Sequence, residues 1–346
     1  MKGSLLKLVI VSNARSGGGA ERSMNTLANE LLGKGFNVVQ IFLNNSKRDT
    51  VPNLALVYEM NREWKDGNFR TFTKFLKFNC CLIRIKPDIL MLNCELAELY
   101  GAFSFYSGIT IAVEHTNKPW LNRKKLGRFV RLILRCRQTH WIKVSSHINV
   151  WPQEKKEATI IENPIMECKR RAIEDNRQID NLVFIGRFTL QKQPNILVSI
   201  AKATNKKLLL FGEGELLNSV KKECVENQID FLSYGFVANP WSLVPPNSLL
   251  IIPSKFEGDG MVVVEAVLAN LPFLISDIPE FRRFNFPEEN YCSSIEGYIS
   301  SIINFEKRLN NIEIPTLTST RLATDRDPIR ISNDWIHLLK NCYKNK

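Results

Sequence analysis

With 346 residues, 44% hydrophobic and 24% charged, the chain has ordinary globular composition and length enough for two α/β domains, which excludes disorder as the default reading. Its formal net charge of +12 is uneven: residues 1–166 hold 25 Lys and Arg against 13 Asp and Glu, while residues 167–346 hold 22 of each. An excess confined to one half disfavours a uniformly basic nucleic-acid binder and favours a two-part protein whose first part faces something anionic.

In chain order, the opening apolar run is broken by Lys7 and stops at Asn13-Ala14-Arg15. It is too short for a secretory leader or a bilayer span, and no later stretch is apolar enough to cross, so a cytoplasmic protein is expected. Residues 5–12 predict a buried strand, followed by the turn Gly17-Gly18-Gly19 and a helix over 20–32. Gly33-Lys34-Gly35 ends that helix before a strand at 37–43. Strands at 87–92 and 109–113 follow, with a further candidate at 141–144. Near-continuous apolar strands alternating with helices imply a parallel sheet covered on both faces.

A strand-like 159–161 precedes Asn163-Pro164 and the polar stretch 167–180, the best candidate linker. The alternation then restarts, with strands at 182–185, 207–211, 229–232, 249–252 and 272–276 and helices at 194–204, 216–227 and 262–268. The expected architecture is therefore two α/β domains, 1–163 and 164–328. Residues 329–343 predict a last amphipathic helix with Trp335, Ile336, Leu338 and Leu339 on or near its apolar face. Eight cysteines without any CxxC predict buried free thiols, and four histidines without HExxH offer no metal pattern.

The richest segment is Phe256-Glu257-Gly258-Asp259-Gly260-Met261-Val262-Val263-Val264-Glu265-Ala266. Two carboxylates flank a glycine-rich turn that opens a helix, where backbone N–H groups and the positive dipole end suit an anion. Upstream, Gly186-Arg187-Phe188-Thr189-Leu190-Gln191-Lys192 leaves a strand end with two cations. Strand ends are where open α/β sheets bind ligands, and two cations suit a diphosphate leaving group without a metal. Phe211-Gly212-Glu213-Gly214-Glu215 and Tyr234-Gly235-Phe236-Val237 are further strand-to-glycine turns. Taken singly, each also reads as an ordinary turn with solvated charges. Gly17-Gly18-Gly19 is no dinucleotide fingerprint, because GxGxxG is missing and Asn44-Asn45 stand where an acid is needed; no P-loop occurs either. Asp325-Arg326-Asp327 follows no apolar strand and runs into Pro328, so it reads as a solvated loop rather than a metal motif.

In this order the motifs resemble the family-4 retaining glycosyltransferases of the GT-B fold, which carry GR-x-x-x-x-K, GEG, a GFV-like segment and PS-x-x-EG…E. Gly17-Gly18-Gly19-Ala20-Glu21-Arg22, Val144-Ser145-Ser146 and Ile160-Ile161-Glu162-Asn163-Pro164-Ile165 are similar to further segments of that family. The resemblance implies two Rossmann-like domains facing across a cleft, with residues 329–346 crossing back to the first. It implies transfer, with retention and without metal or other cofactor, of a hexose or N-acetylhexosamine from a nucleotide sugar, a UDP-sugar by preference. The implied acceptor is a glycan or lipid-linked oligosaccharide in bacterial surface polysaccharide or lipopolysaccharide synthesis.

On this resemblance Arg187 and Lys192 neutralise the pyrophosphate, Glu257 holds the donor sugar, Glu265 the ribose, and His115 lies beside the reacting sugar. Glu257, His115, Arg187 and Lys192 are the implied catalytic set. Gly18, Gly19, Gly212, Gly258, Gly260, Met261 and Val262 line the donor, with Phe236 and Val237 reading the base. Asp259 departs from the family, which often has an aromatic residue there, and its carboxylate is expected to repel phosphate unless it faces a sugar hydroxyl or solvent. That departure keeps a catalytically idle sugar-nucleotide- or glycan-binding subunit as an alternative; a sugar-nucleotide epimerase on the same fold is the other.

Residues 122–137 predict a helix with Arg123, Lys124, Lys125, Arg128 and Arg131 on one side and Leu126, Phe129, Val130, Ile133 and Leu134 on another. Those cations suit an anionic membrane surface, with Trp120 as an interfacial anchor, and would hold the protein at the inner face of the cell membrane. A core-packed helix with a solvated basic face is the plainer reading. Nucleic acid is not expected as a partner, because no recognition module accompanies the charge.

Overall fold

Strands made almost wholly of apolar residues have no side to offer to water, and here they form two parallel sheets covered by helices. The computed structural model describes residues 6–15, 17–44, 55–63, 68–151, 158–166, 179–308 and 316–344. Most of the expected linker (167–178), Leu5 and Asn45 lie outside the described residues. The chain divides into two compact units, residues 1–166 with 326–346, and residues 167–325.

The first unit runs β1 (Lys7–Ser12), α1 (Gly19–Gly33), β2 (Asn37–Asn44), β3 (Leu56–Arg62), α2 (Asn68–Ile85), β4 (Ile89–Asn93), α3 (Glu95–Ala102), β5 (Ile109–Glu114), α4 (Lys124–Cys136), β6 (His140–Lys143) and β7 (Ala158–Ile160). Its seven strands lie in the order β3-β2-β1-β4-β5-β6-β7, all pairs parallel. One side of the sheet is covered by α2, α3 and α4 through Phe78, Leu82, Tyr100, Val130 and Leu134. On the other, α1 presents Met24, Leu27, Ala28 and Leu31, a helical spacing that gives one apolar stripe.

The second unit runs β8 (Asn181–Ile185), α5 (Ile196–Thr204), β9 (Lys207–Phe211), α6 (Leu217–Glu226), β10 (Phe231–Gly235), a 3-10 turn (Pro240–Ser242), β11 (Ser248–Ile252), α7 (Met261–Leu268), β12 (Phe273–Ser276), α8 (Pro279–Arg282), β13 (Tyr291–Cys292), α9 (Ile295–Arg308) and α10 (Thr316–Asp325). The sheet order is β10-β9-β8-β11-β12-β13. From β8 the chain builds outward to β10, then returns to lay β11 on the other side of β8. The carboxyl ends of β8 and β11 therefore flank the point where strand order reverses, the usual ligand crevice of such sheets.

The last helix, α11 (Pro328–Lys344), belongs to the first unit. Ile331, Trp335 and Leu339 complete the core beside α1, and Lys34 Nζ ties the helix down through Ser332 Oγ at 2.7 Å and Asn333 Oδ1 at 2.6 Å. The segment before it corrects the expectation of a solvated loop at 325–327. Arg326 is buried, pairs with Glu162 at 3.2 Å and donates to the Asn163 carbonyl at 3.3 Å. The thiols need a correction too: Cys81, Cys224, Cys292 and Cys342 are buried and free, but Cys80 and Cys136 are exposed. Among the described residues no helix is long and apolar enough to cross a membrane.

Candidate functional site

The site begins where β8 ends. Gly186 N–H donates to the Phe211 carbonyl (3.0 Å) and Phe188 N–H to that of Glu213 (2.8 Å), while Leu216 N–H returns a bond to Phe188 (3.0 Å). The loop after β8 is thus zipped to the loop after β9. This closeness demands glycine at 212, where φ is +130° and a Cβ would stand 1.9 Å from the Gly186 carbonyl oxygen. Phe188 turns inward against Phe184, with ring centroids 4.9 Å apart, and leaves Arg187 exposed at the strand end.

Lys192 comes back toward β11. Its Nζ meets Glu257 Oε1, and Ser254 Oγ donates to the same oxygen at 2.7 Å. Gln191, which the motif reading did not single out, staples the two loops: its side chain donates to the Phe256 carbonyl (2.9 Å) and its carbonyl accepts from Lys255 N–H (2.8 Å). The signal for it was its place between the two cations.

Past Glu257 and Gly258, both buried, Asp259 Oδ1 accepts from Arg283 Nη2 at 2.6 Å, and the Asp259 carbonyl accepts from the same nitrogen at 2.7 Å. Asp259 is therefore paired with a guanidinium, an outcome the sequence reading did not include. Gly260, at φ +64°, precedes α7, which starts without a side-chain cap at buried Met261 and half-buried Val262. One turn on, Glu265 is buried and its Oε2 accepts from Trp241 Nε1 at 3.2 Å. Trp241, on the 3-10 turn, was also not anticipated. At the end of β10, Phe236 and Val237 are half-buried, after Tyr234, whose ring stacks on Phe211 at 4.4 Å. The second unit thus joins Lys192 to Glu257, holds Arg187 at the same strand end, and aims Glu265 from the helix that follows.

In the first unit Gly18 caps α1 and Gly19 starts it, directly after β1. His115 follows β5 and is half-buried. Its neighbour Glu114 is buried and shares Arg131 with Glu98: Arg131 Nη2 lies 2.6 Å from Glu114 Oε2 and 2.6 Å from Glu98 Oε1. Burial pushes the Glu114 carboxyl well up from the ordinary carboxylate range; Arg131 opposes the shift and Glu98 adds to it.

This arrangement corrects the expectation for Arg131. It is 1% exposed, lies over the Trp141 ring and cannot touch a membrane, because two buried carboxylates draw the one cation inward. Trp120 is corrected as well. At 3% exposed it is core, with its indole N–H on Glu98 Oε2 at 2.9 Å. Arg123, Lys124, Lys125 and Arg128 are exposed, and so is Arg135. Phe129, expected on the buried stripe, is exposed, as are Leu132 and Leu121.

Residues 169–299 match the family model of the glycosyl transferases group 1. An uncharacterized glycosyltransferase of Methanocaldococcus jannaschii is 29% identical over 138 residues, 36% of this chain and 38% of that one, so the match spans well under half of either protein. Among solved structures, HepE of Anabaena in complex with UDP and glucose superposes with a TM-score of 0.78 at 12% identity, over 97% of this chain and 100% of that one. A lipopolysaccharide outer core galactosyltransferase superposes at 0.69 with 18% identity, over 97% and 100%. The second unit thus carries the group 1 glycosyltransferase pattern, on a chain whose two parallel α/β sheets have the GT-B fold.

Proposed function

We propose that this protein is a retaining, metal-independent glycosyltransferase that moves a hexose or N-acetylhexosamine from a UDP-sugar to a glycan or lipid-linked acceptor in surface polysaccharide synthesis. The observation that carries this reading is the convergence of Lys192 and Glu257, with Arg187 on the same strand end, at the reversal point of the second sheet. The group 1 match over residues 169–299 and the glycosyltransferase names of the similar proteins support it.

In the proposed reaction the bond from the anomeric carbon to the phosphate oxygen breaks, the electron pair leaves with the nucleoside diphosphate, and an acceptor hydroxyl bonds to the same face as its proton departs. Arg187 and Lys192 stabilise the charge on the leaving diphosphate. Lys192 is held ready by Glu257, whose other oxygen is left for a sugar hydroxyl. Glu265, braced by Trp241, takes the ribose diol, and the start of α7 takes phosphate oxygens. His115, which follows β5, is the first unit's candidate for a role on the reacting sugar. The guanidinium on Asp259 removes the feature that favoured an idle subunit. Arg123, Lys124, Lys125 and Arg128, with Phe129 and Leu132 among them, are read as a contact with anionic lipid at the cytoplasmic face of the membrane.

The test is acceptor-dependent release of UDP or GDP from a panel of nucleotide sugars, with and without membrane extract. Lys192→Ala is expected to lower turnover by about a hundredfold or more, the effect of losing one charge-stabilising donor. Full turnover in both Lys192→Ala and Glu257→Ala would refute the site, and an altered donor sugar without transfer would identify an epimerase.

A further inference from the structure

The turn between Glu257 and α7 contains a carboxylate where the proposed chemistry needs none. Asp259 lies two residues before Met261, the first residue of a helix whose start is read as a phosphate site. An acid there raises the potential against a diphosphate unless something cancels it.

The cancelling group is built into the next strand-to-helix connection. After β12 the chain makes α8, and the two arginines that close it part company. Arg282 faces outward, bonded to Asp277 at 2.5 Å and Glu288 at 2.6 Å, with its guanidinium over Tyr291. Arg283 turns inward to Asp259, and the side chains of this pair are only 10% and 5% exposed. The same Nη2 holds both the carboxylate and the carbonyl of Asp259, so the contact fixes the backbone of the turn as well as its charge. Phe281 and Phe284 press on the next residue: a Cβ at Gly260 would stand 3.0 Å from Phe281 and 3.4 Å from Phe284. Arg283 also lies 4.5 Å from the Phe284 ring centroid, which sets its plane.

We propose that Arg283 is a positioning residue for the donor diphosphate: by pairing with Asp259 it cancels the charge of an acid beside the anion site. This rests on the donor-site reading above. The pair acts as a unit, so the loss of its two members has opposite consequences. Without Arg283 the Asp259 carboxylate loses this guanidinium beside the proposed phosphate site. Without the acid, the guanidinium adds to Arg187 and Lys192.

Isothermal titration of UDP and GDP into the full chain, wild type, R283A, D259N and the double variant, decides the matter, with thermal melts to verify folding. R283A is expected to weaken binding by about tenfold or more, and R283A/D259N to return within about threefold of wild type. A bracing role without charge would leave the double variant as weak as R283A, and that result overturns the inference. So does R283A binding like wild type. If R283A does not fold, D259N still decides: binding tightened about threefold supports cancellation, and unchanged or weaker binding refutes it. A wild type that binds neither nucleotide overturns the donor-site reading and this inference together, which separates that failure from the others.

Discussion

Arg131 stands between Glu98 and Glu114 with almost no solvent to screen any of the three. Removing the one cation leaves two buried carboxylates facing each other, and Arg131→Met should lower unfolding stability by about 3–5 kcal/mol in urea titration. The triad also sets a pH dependence. Burial raises Glu114 above its ordinary value, so the folded form keeps a proton that the unfolded chain releases. Stability is then full below the ordinary carboxylate range and declines as pH rises through the interval up to the raised folded value. Glu114→Gln removes that slope: between about pH 7.5 and about pH 5, wild type should gain on the variant in paired denaturation curves. The sequence could not reveal this role. Along α4 the cations 124, 128, 131 and 135 look alike, and only partners on α3 and β5 distinguish the third.

Elements divide by burial in how plainly they can be read. Strands β1, β4, β9 and β11, apolar along almost their whole length, stand out in the sequence, as do the helices α1, α5, α6 and α7, whereas α2 and α3 are not among the elements the sequence predicts. Edge strands are less even: β7 matches the strand-like 159–161 to within one residue, but β3 and β10 are harder to read. β3 mixes Glu59 and Asn61 into its run and was not identified, and β10 lies about two residues beyond the expected strand because its half-exposed residues carry no continuous apolar signal. The site's glycines were legible as motifs, but their mechanical role needed coordinates. At Gly212, overlap with a backbone carbonyl cannot be relieved by moving a side chain, so Gly212→Ala should cost at least about 2 kcal/mol in stability, read as a lowered Tm. Gln191, Trp241 and Arg283 escaped notice because each works through a contact far away in sequence.

For the whole molecule, the uneven charge seen in composition has a location. Residues 68–137 hold 13 Lys and Arg against four Asp and Glu, and Glu98 and Glu114, two of those acids, are spent on Arg131. The helices of this stretch, α2, α3 and α4, share one side of the first sheet. Their outer surfaces expose Phe69, Phe72, Leu76 and Ile83 on α2, Phe103 and Phe105 after α3, and Leu121, Phe129 and Leu132 on and before α4. Cations among exposed aromatics suit an anionic lipid interface, each basic side chain near the surface adding about 1 kcal/mol. Wild type should sediment with vesicles containing phosphatidylglycerol and not with phosphatidylcholine alone, and salt should weaken the binding. Charge reversal at Arg123, Lys124, Lys125 and Arg128 should abolish it while the thermal melt stays unchanged.

The return of α11 to the first unit orders events on the ribosome. Residues 179–308 carry everything the second sheet needs, whereas the side of the first sheet that α1 covers in part waits for Ile331, Trp335 and Leu339 to complete it. The part made first is therefore finished last, and until the final helix emerges the nascent chain carries an open apolar face that a chaperone or a short C-terminal truncation would find.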